Sequence, residues 1–158
     1  MPPPTRLPLE EAIMARPIVY QGDLGTLLET SKEGYAGRDE SCVALPQAVT
    51  DVGHTSRWQP GAKVVGLDFL LPGTVIANFK FEDNKARFPN AHGYHVALFQ
   101  EFGNRVPGGG YTHIWVIDQW PGHTVKRRNK NAVSAEEMKR RRWMPCDNAN
   151  DYYVVLVP

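Results

Sequence analysis

Between Ala62 and the C-terminus the chain passes through five short segments rich in β-branched and aromatic residues: "AKVVGLDFL", "GTVIANF", "YHVALFQEF", "HIWVIDQW" and "DYYVVLVP". Turn-forming residues bound them, Pro72-Gly73 after the first and "NRVPGGGYT" between the third and fourth, and each shows partial alternation of apolar and polar side chains. Parallel neighbours need a long crossover connection, usually a helix. No helix of that length is legible between the segments, so they are expected to pair mostly antiparallel. The class is therefore α+β, with a helix packed on a sheet of about five strands.

That helix is best placed from about Ser41 to Val52, where Val43, Ala44, Ala48 and Val49 approximate one face at helical spacing. Pro46 complicates it, because proline lacks a donor and clashes with the preceding turn unless it lies close to the start. The helix either kinks there or begins near Cys42. Upstream, residues 20–40 carry four glycines and many polar side chains, and read as loops around one short apolar piece. Pro2, Pro3, Pro4 and Pro8 make residues 1–16 an extended lead-in in which "LEEAIMA" is compatible with a short helix.

A length of 158 residues with 42% hydrophobic and 22% charged content suits one globular domain. No run of about 18 apolar residues is present, so no membrane span is expected, and the proline-rich start lacks the apolar core of a secretory signal. Two cysteines are too few for a disulfide framework and neither lies in a zinc-binding pattern, so no metal or other cofactor is expected. A disulfide between Cys42 and Cys146 is not expected either, since nothing in the sequence brings them within bridging distance.

The net charge of +1 conceals an asymmetry. Residues 126–143, "KRRNKNAVSAEEMKRRRW", hold eight of the eighteen Lys and Arg but two of the seventeen acids. Such a stretch attracts polyanions; more simply, residues 126–145 are a solvated basic insertion. Ser134, Ala135, Glu136 and Glu137 fit a capping-box spacing, and Lys139 to Arg142 would complement the dipole at the end of a short helix.

Three polar residues occupy positions where chemistry is possible. Cys42 stands at the helix start, His95 opens the strand "YHVALFQEF", and Asp118 lies inside the otherwise apolar "HIWVIDQW". Sulfur attacks as the thiolate, which a helix N-terminus and a nearby imidazole favour. An imidazole at a sheet edge is placed to take and return a proton. A carboxylate buried in a strand requires a partner, and an imidazole N–H is suitable. Each residue also has a plain reading: a small buried hydrophobe, a structural histidine, a carboxylate bonded to backbone. His54, His92, His113 and His123 lie in turn-like surroundings, with His92 the chief competitor as the base.

Cys42 at a helix start, "GYHVALF" opening a strand and a polar residue on the next strand resemble the papain-like cysteine peptidases of the NlpC type and the cysteine/histidine-dependent amidohydrolase/peptidase group. Together, "CVALPQAV", "HTSRWQPG", "GTVIANF", "RFPN", "GYHVALF" and "IWVIDQW" resemble a bacterial family related to the amidase effectors of type VI secretion, over about Tyr35 to Trp120. The resemblance implies a papain-like fold and hydrolysis of peptide amides in bacterial peptidoglycan. Cys42 would be the nucleophile, His95 the general base and acid, and Asp118 the group that orients His95. The Cys42 N–H would supply one oxyanion donor, with Tyr35 or Gln119 candidates for the second. Trp58 is read either as a stacking platform in a groove with His54 and Arg57 or as a packed loop anchor, and Trp120 as a wall of the site. Pro46 and the basic segment depart from the family pattern. The implied partner is a peptidoglycan peptide, with an immunity protein left open and no nucleic acid expected. Synthesis in the cytoplasm followed by delivery to the periplasm of a neighbouring cell is the implied route, although a resident cytoplasmic enzyme fits equally. Two other readings stay open: a non-catalytic module holding wall fragments or an anionic polymer, and a papain-like transacylase with another substrate.

Overall fold

In the computed structural model, which describes residues 15–158, the chain is α+β around an antiparallel sheet of seven strands. The elements in order are β1 (Arg16–Pro17), α1 (Leu24–Thr30), α2 (Ala44–Val49), β2 (Gln59–Lys63), β3 (Val75–Ala77), β4 (Lys80–Glu82), β5 (Lys85–Arg87), β6 (Val96–Phe102), β7 (His113–Trp120), β8 (His123–Asn131), α3 (Ala135–Arg141) and β9 (Tyr153–Val157). The last strand runs beside β1, β2 and β3; β3 pairs with β6, β6 with β7 and β7 with β8. A separate hairpin joins β4 to β5. Of the proline-rich lead-in and the helix read in "LEEAIMA", nearly all lies outside the described residues.

The sheet is wider than the five expected strands for identifiable reasons. The first expected segment, "AKVVGLDFL", is strand only through Lys63, after which Val64–Gly66 turn in a 3-10 helix. The stretch read as a basic insertion divides instead. Its first part belongs to β8, which pairs along β7 from His113↔Asn131 to Trp120↔His123. The two strands are joined by Pro121 and Gly122, and Gly122 takes φ 84°, as the third position of a type II turn requires. The second part is α3, which Ser134 caps by accepting from the Glu137 N–H; the Glu137 carboxylate pairs with Arg140 and Arg141. Asp23 likewise caps α1, a helix hidden among polar residues that buries Leu27.

Strand periodicity sorts the core into two clusters. Val75, Ala77, Val96 and Leu98 join one with Val43, Leu45 and Leu27, while Ile76, Ala97 and Phe99 join the other with Val64, Ala149 and Tyr152. Alternate residues on a strand point to opposite faces, so β3 and β6 are buried on both. A one-residue slip would exchange the two sets, and the unequal side chains on each face fix the register.

The helix over 41–52 proves shorter. It spans Ala44–Val49 with Val43 as cap, and Thr50 leaves in extended conformation. Pro46 falls in the first turn, where no intrahelical bond to its nitrogen is needed, and its carbonyl accepts from Thr50. Of the two alternatives, the helix starts beside Cys42; it does not kink.

Candidate active site

Three local devices hold Cys42, His95 and Asp118. The loop before α2 carries the cysteine, and its backbone is tied down from β7: the Gln119 amide donates to the carbonyls of Ala36, Asp39 and Ser41, and its Oε1 accepts from the Ala36 N–H. The Asp39 carboxylate further accepts from the Ser41 N–H and hydroxyl. Immediately before β6, the His95 N–H donates to Asn78 Oδ1 at 2.7 Å, while Asn78 Nδ2 donates to the Gly93 carbonyl. On β7, Asp118 is fully buried.

His95 Nε2 lies 2.7 Å from Asp118 Oδ2. The second carboxylate oxygen accepts from Arg128 Nη1 at 2.7 Å; the same nitrogen also reaches the Asp118 carbonyl, and Nη2 bonds the Thr124 carbonyl. Burial acts to raise the Asp118 pKa, but the His95 bond and the charges of Lys130 and Arg128 outweigh it and hold the carboxyl below its ordinary value. Burial lowers the pKa of His95, and the same two cations lower it further against the pull of Asp118. The pair is thus carboxylate beside neutral imidazole. With Nε2–H donating to Asp118, Nδ1 is the unprotonated nitrogen, free to accept a proton.

Cys42 and His95 line one cavity of about 480 Å³ together with Tyr94, Trp120, Lys130 and Met144. Burial pushes the Cys42 thiol up, and the negative charge of Asp118 adds to the rise, against the backbone groups of Val96, Cys42 and Val43. Burial thus opposes the thiolate that a helix N-terminus and a nearby imidazole favour, and α2 has only six residues.

Other expected site residues divide. Trp120 walls the cavity, its ring edge-on to His95 at 5.7 Å, stacked on His123 at 4.1 Å and covered by the Arg128 guanidinium at 4.4 Å. Gln119 is fully buried, with both ends of its amide engaged with backbone. Trp58 is no platform either: it is buried, donates to the carbonyls of Val52 and Gly53, and packs on Phe88 at 4.9 Å. Tyr35 is half-buried and not among the residues lining the cavity. His92 lies on the cavity wall without contacting Asp118; His54 caps a 3-10 turn, and His113 bonds Thr112. Cys146 joins Cys42 on the wall, and both thiols are free. Among the described residues no group of three or more His, Cys, Asp or Glu is placed to hold a metal ion.

Sequence reasoning missed Asn78, Arg128 and Lys130. The signal for the last two was the Pro121-Gly122 turn, which folds "VKRRNKN" back along β7 and makes a cation the natural partner of a buried acid. The basic segment is thereby used within the molecule. Arg127 binds Gln100 and Glu101 and covers Trp115, Arg128 holds Asp118, and Lys130 donates to the Cys146 carbonyl.

The family described as domesticated amidase effector 2 matches residues 19–155. A type VI secretion amidase effector 2 protein of Salmonella typhi is 38% identical over 113 residues, covering 71% of this chain and 74% of its own. The solved structure of type 6 secretion amidase effector 2 (Tae2) superposes with a TM-score of 0.62 at 29% identity, over 89% of this chain and 94% of the other. The fold is accordingly papain-like.

Proposed function

The chain belongs to the domesticated amidase effector 2 family, and from that premise we propose that it hydrolyses peptide amide bonds of bacterial peptidoglycan, with Cys42 as nucleophile, His95 as general base and acid, and Asp118 as the carboxylate that orients His95. The observation that carries the reading is the Asp118–His95 bond at 2.7 Å in the cavity wall that Cys42 shares.

The reaction begins from a neutral thiol and a neutral imidazole. His95 Nδ1 takes the Cys42 proton as sulfur attacks the scissile carbonyl, and the imidazolium that forms is stabilised by Asp118. The oxyanion is held by the Cys42 N–H at the turn into α2. Collapse of the tetrahedral intermediate returns the proton from His95 to the leaving amine and leaves a thioester on Cys42. Water, deprotonated by His95, then releases the acid product and restores the thiol. Asp118 remains ionised throughout, because Arg128 and Lys130 oppose its protonation.

The family's type VI relatives support delivery into a target cell, and peptidoglycan places the site of action in its periplasm. An immunity protein made by the producing cell would then have this cavity to block. The decisive test is Cys42→Ala: release of amine from purified peptidoglycan should fall to at most about one-thousandth, with thermal unfolding unchanged. Retention of wild-type hydrolysis by that variant would refute the assignment.

A further inference from the structure

Lys130 is the cation of the cavity wall, and beyond opposing protonation of Asp118 the proposed reaction gives its ammonium no partner. It sits on β8 opposite Ile114 and lines the cavity with Cys42 and His95. Its ammonium donates one hydrogen bond, to the Cys146 carbonyl at 3.2 Å, and lies over the Tyr152 ring at 5.4 Å from the centroid, a contact that occupies none of its remaining donors. An ammonium has three donors. The nearby anion, Asp118, is already bonded by His95 and Arg128. Asp147, the acid on the cavity wall, has Oδ2 accepting from the Met144 N–H, and Lys130 forms no ion pair with it among the described residues. The wall therefore offers a cation with donors in reserve beside the reacting pair.

We propose that Lys130 is a carboxylate-binding residue of the substrate site, receiving a free carboxylate of the peptide next to the scissile amide. This rests on the amidase reading above. A carboxylate is the matching class: it is anionic, accepts at two oxygens, and is borne by the stem peptides of the wall. A charge-assisted bond of that kind in a concave site fixes the peptide's register against Cys42.

The test uses synthetic cross-linked stem peptides whose carboxylates are converted to carboxamides one at a time, assayed with wild type, Lys130→Gln and Lys130→Arg. Rates are taken above pH 7, because Lys130 also lowers the His95 pKa. Wild type should lose about tenfold in kcat/KM, mainly through KM, when one particular carboxylate is amidated. Lys130→Gln should lose the same factor on the free acid and nothing further on the amide, and Lys130→Arg should regain most of it. Equal losses by Lys130→Gln on acid and amide, or indifference of wild type to every amidation, overturns the proposal while leaving the amidase reading intact. Failure of wild type to cut any of the peptides overturns both.

Discussion

Asp118 and Gln119 are consecutive residues of β7, both polar and both fully buried, and they serve opposite faces of the sheet. Gln119 turns to the loop that delivers Cys42, and all its partners are backbone groups of Ala36, Asp39 and Ser41. Asp118 turns to His95 and Arg128, and its side-chain partners are ionisable. The same strand thus positions the proposed nucleophile with a neutral amide and the proposed base with a charge. The difference is physical. A carbonyl-rich loop needs donors, which an amide supplies without bringing a buried charge near the thiol. An imidazole that becomes cationic needs an anion to stabilise it.

The comparison is broken most severely by Asp118→Ala. Loss of the carboxylate frees the His95 ring and leaves Arg128 unpaired, so hydrolysis should fall about 10²–10⁴-fold. Removing one partner of a buried pair should also cost about 3–5 kcal/mol in chemical unfolding. Wild-type rates in this variant would remove Asp118 from the mechanism. Arg128→Met acts next. Without that cation the imidazolium is less disfavoured, so the His95 pKa rises and the acid limb of the kcat/KM profile should move to higher pH; an unmoved limb would show that Arg128 is merely structural.

Gln119→Ala sharpens the contrast from the other face. It leaves three part-buried carbonyls and an N–H short of a partner, costing about 1–3 kcal/mol, and the loosened Cys42 loop should lower kcat. The acid limb should stay where it is, because no charge near His95 changes; a shifted limb would mean that the two faces are coupled. The smallest effect is in stability itself. His95 has a folded pKa below its unfolded value, so the unfolded state binds more protons between the two. Stability from this group is full above about pH 6.5 and is lost as pH falls toward the folded pKa. Asp118, also depressed, adds a further loss below about pH 4. Thermal scans should show Tm declining from pH 6.5 to 5 in wild type, and less steeply in His95→Gln.

Segments with strong local signals were legible. "VALF" and "IWVID" form strands because their side chains are apolar or β-branched enough to bury both faces, and Ser134 caps α3 because its hydroxyl meets the Glu137 N–H three residues on. Elements whose reason to exist lies elsewhere in the chain were not. β8 reads as a charged loop because the carboxylates that neutralise it, Asp118 and Glu101, lie on other strands. Gln119 read as a candidate oxyanion donor, and Trp58 as either a platform or a packed anchor, because a polar amide and an indole carry no mark of the carbonyls they will meet. The burial that opposes ionisation of the Cys42 thiol was not legible for the same reason. A position ahead of a helix is visible in sequence, whereas desolvation of Cys42 depends on what packs over it.

The sequence by itself determined the class of fold, through period-two patterning and turns, and nominated Cys42, His95 and Asp118 as candidates through residue type and position within local elements. Only the tertiary structure decided how they are joined: which imidazole nitrogen meets the carboxylate, that Arg128 closes the other side of Asp118, and that Lys130 reaches the cavity. Patterning and caps act over a few residues and are written in consecutive letters. Hydrogen bonds, desolvation and charge pairing act through space, and the distances that set their strength exist only once β6, β7 and β8 lie side by side.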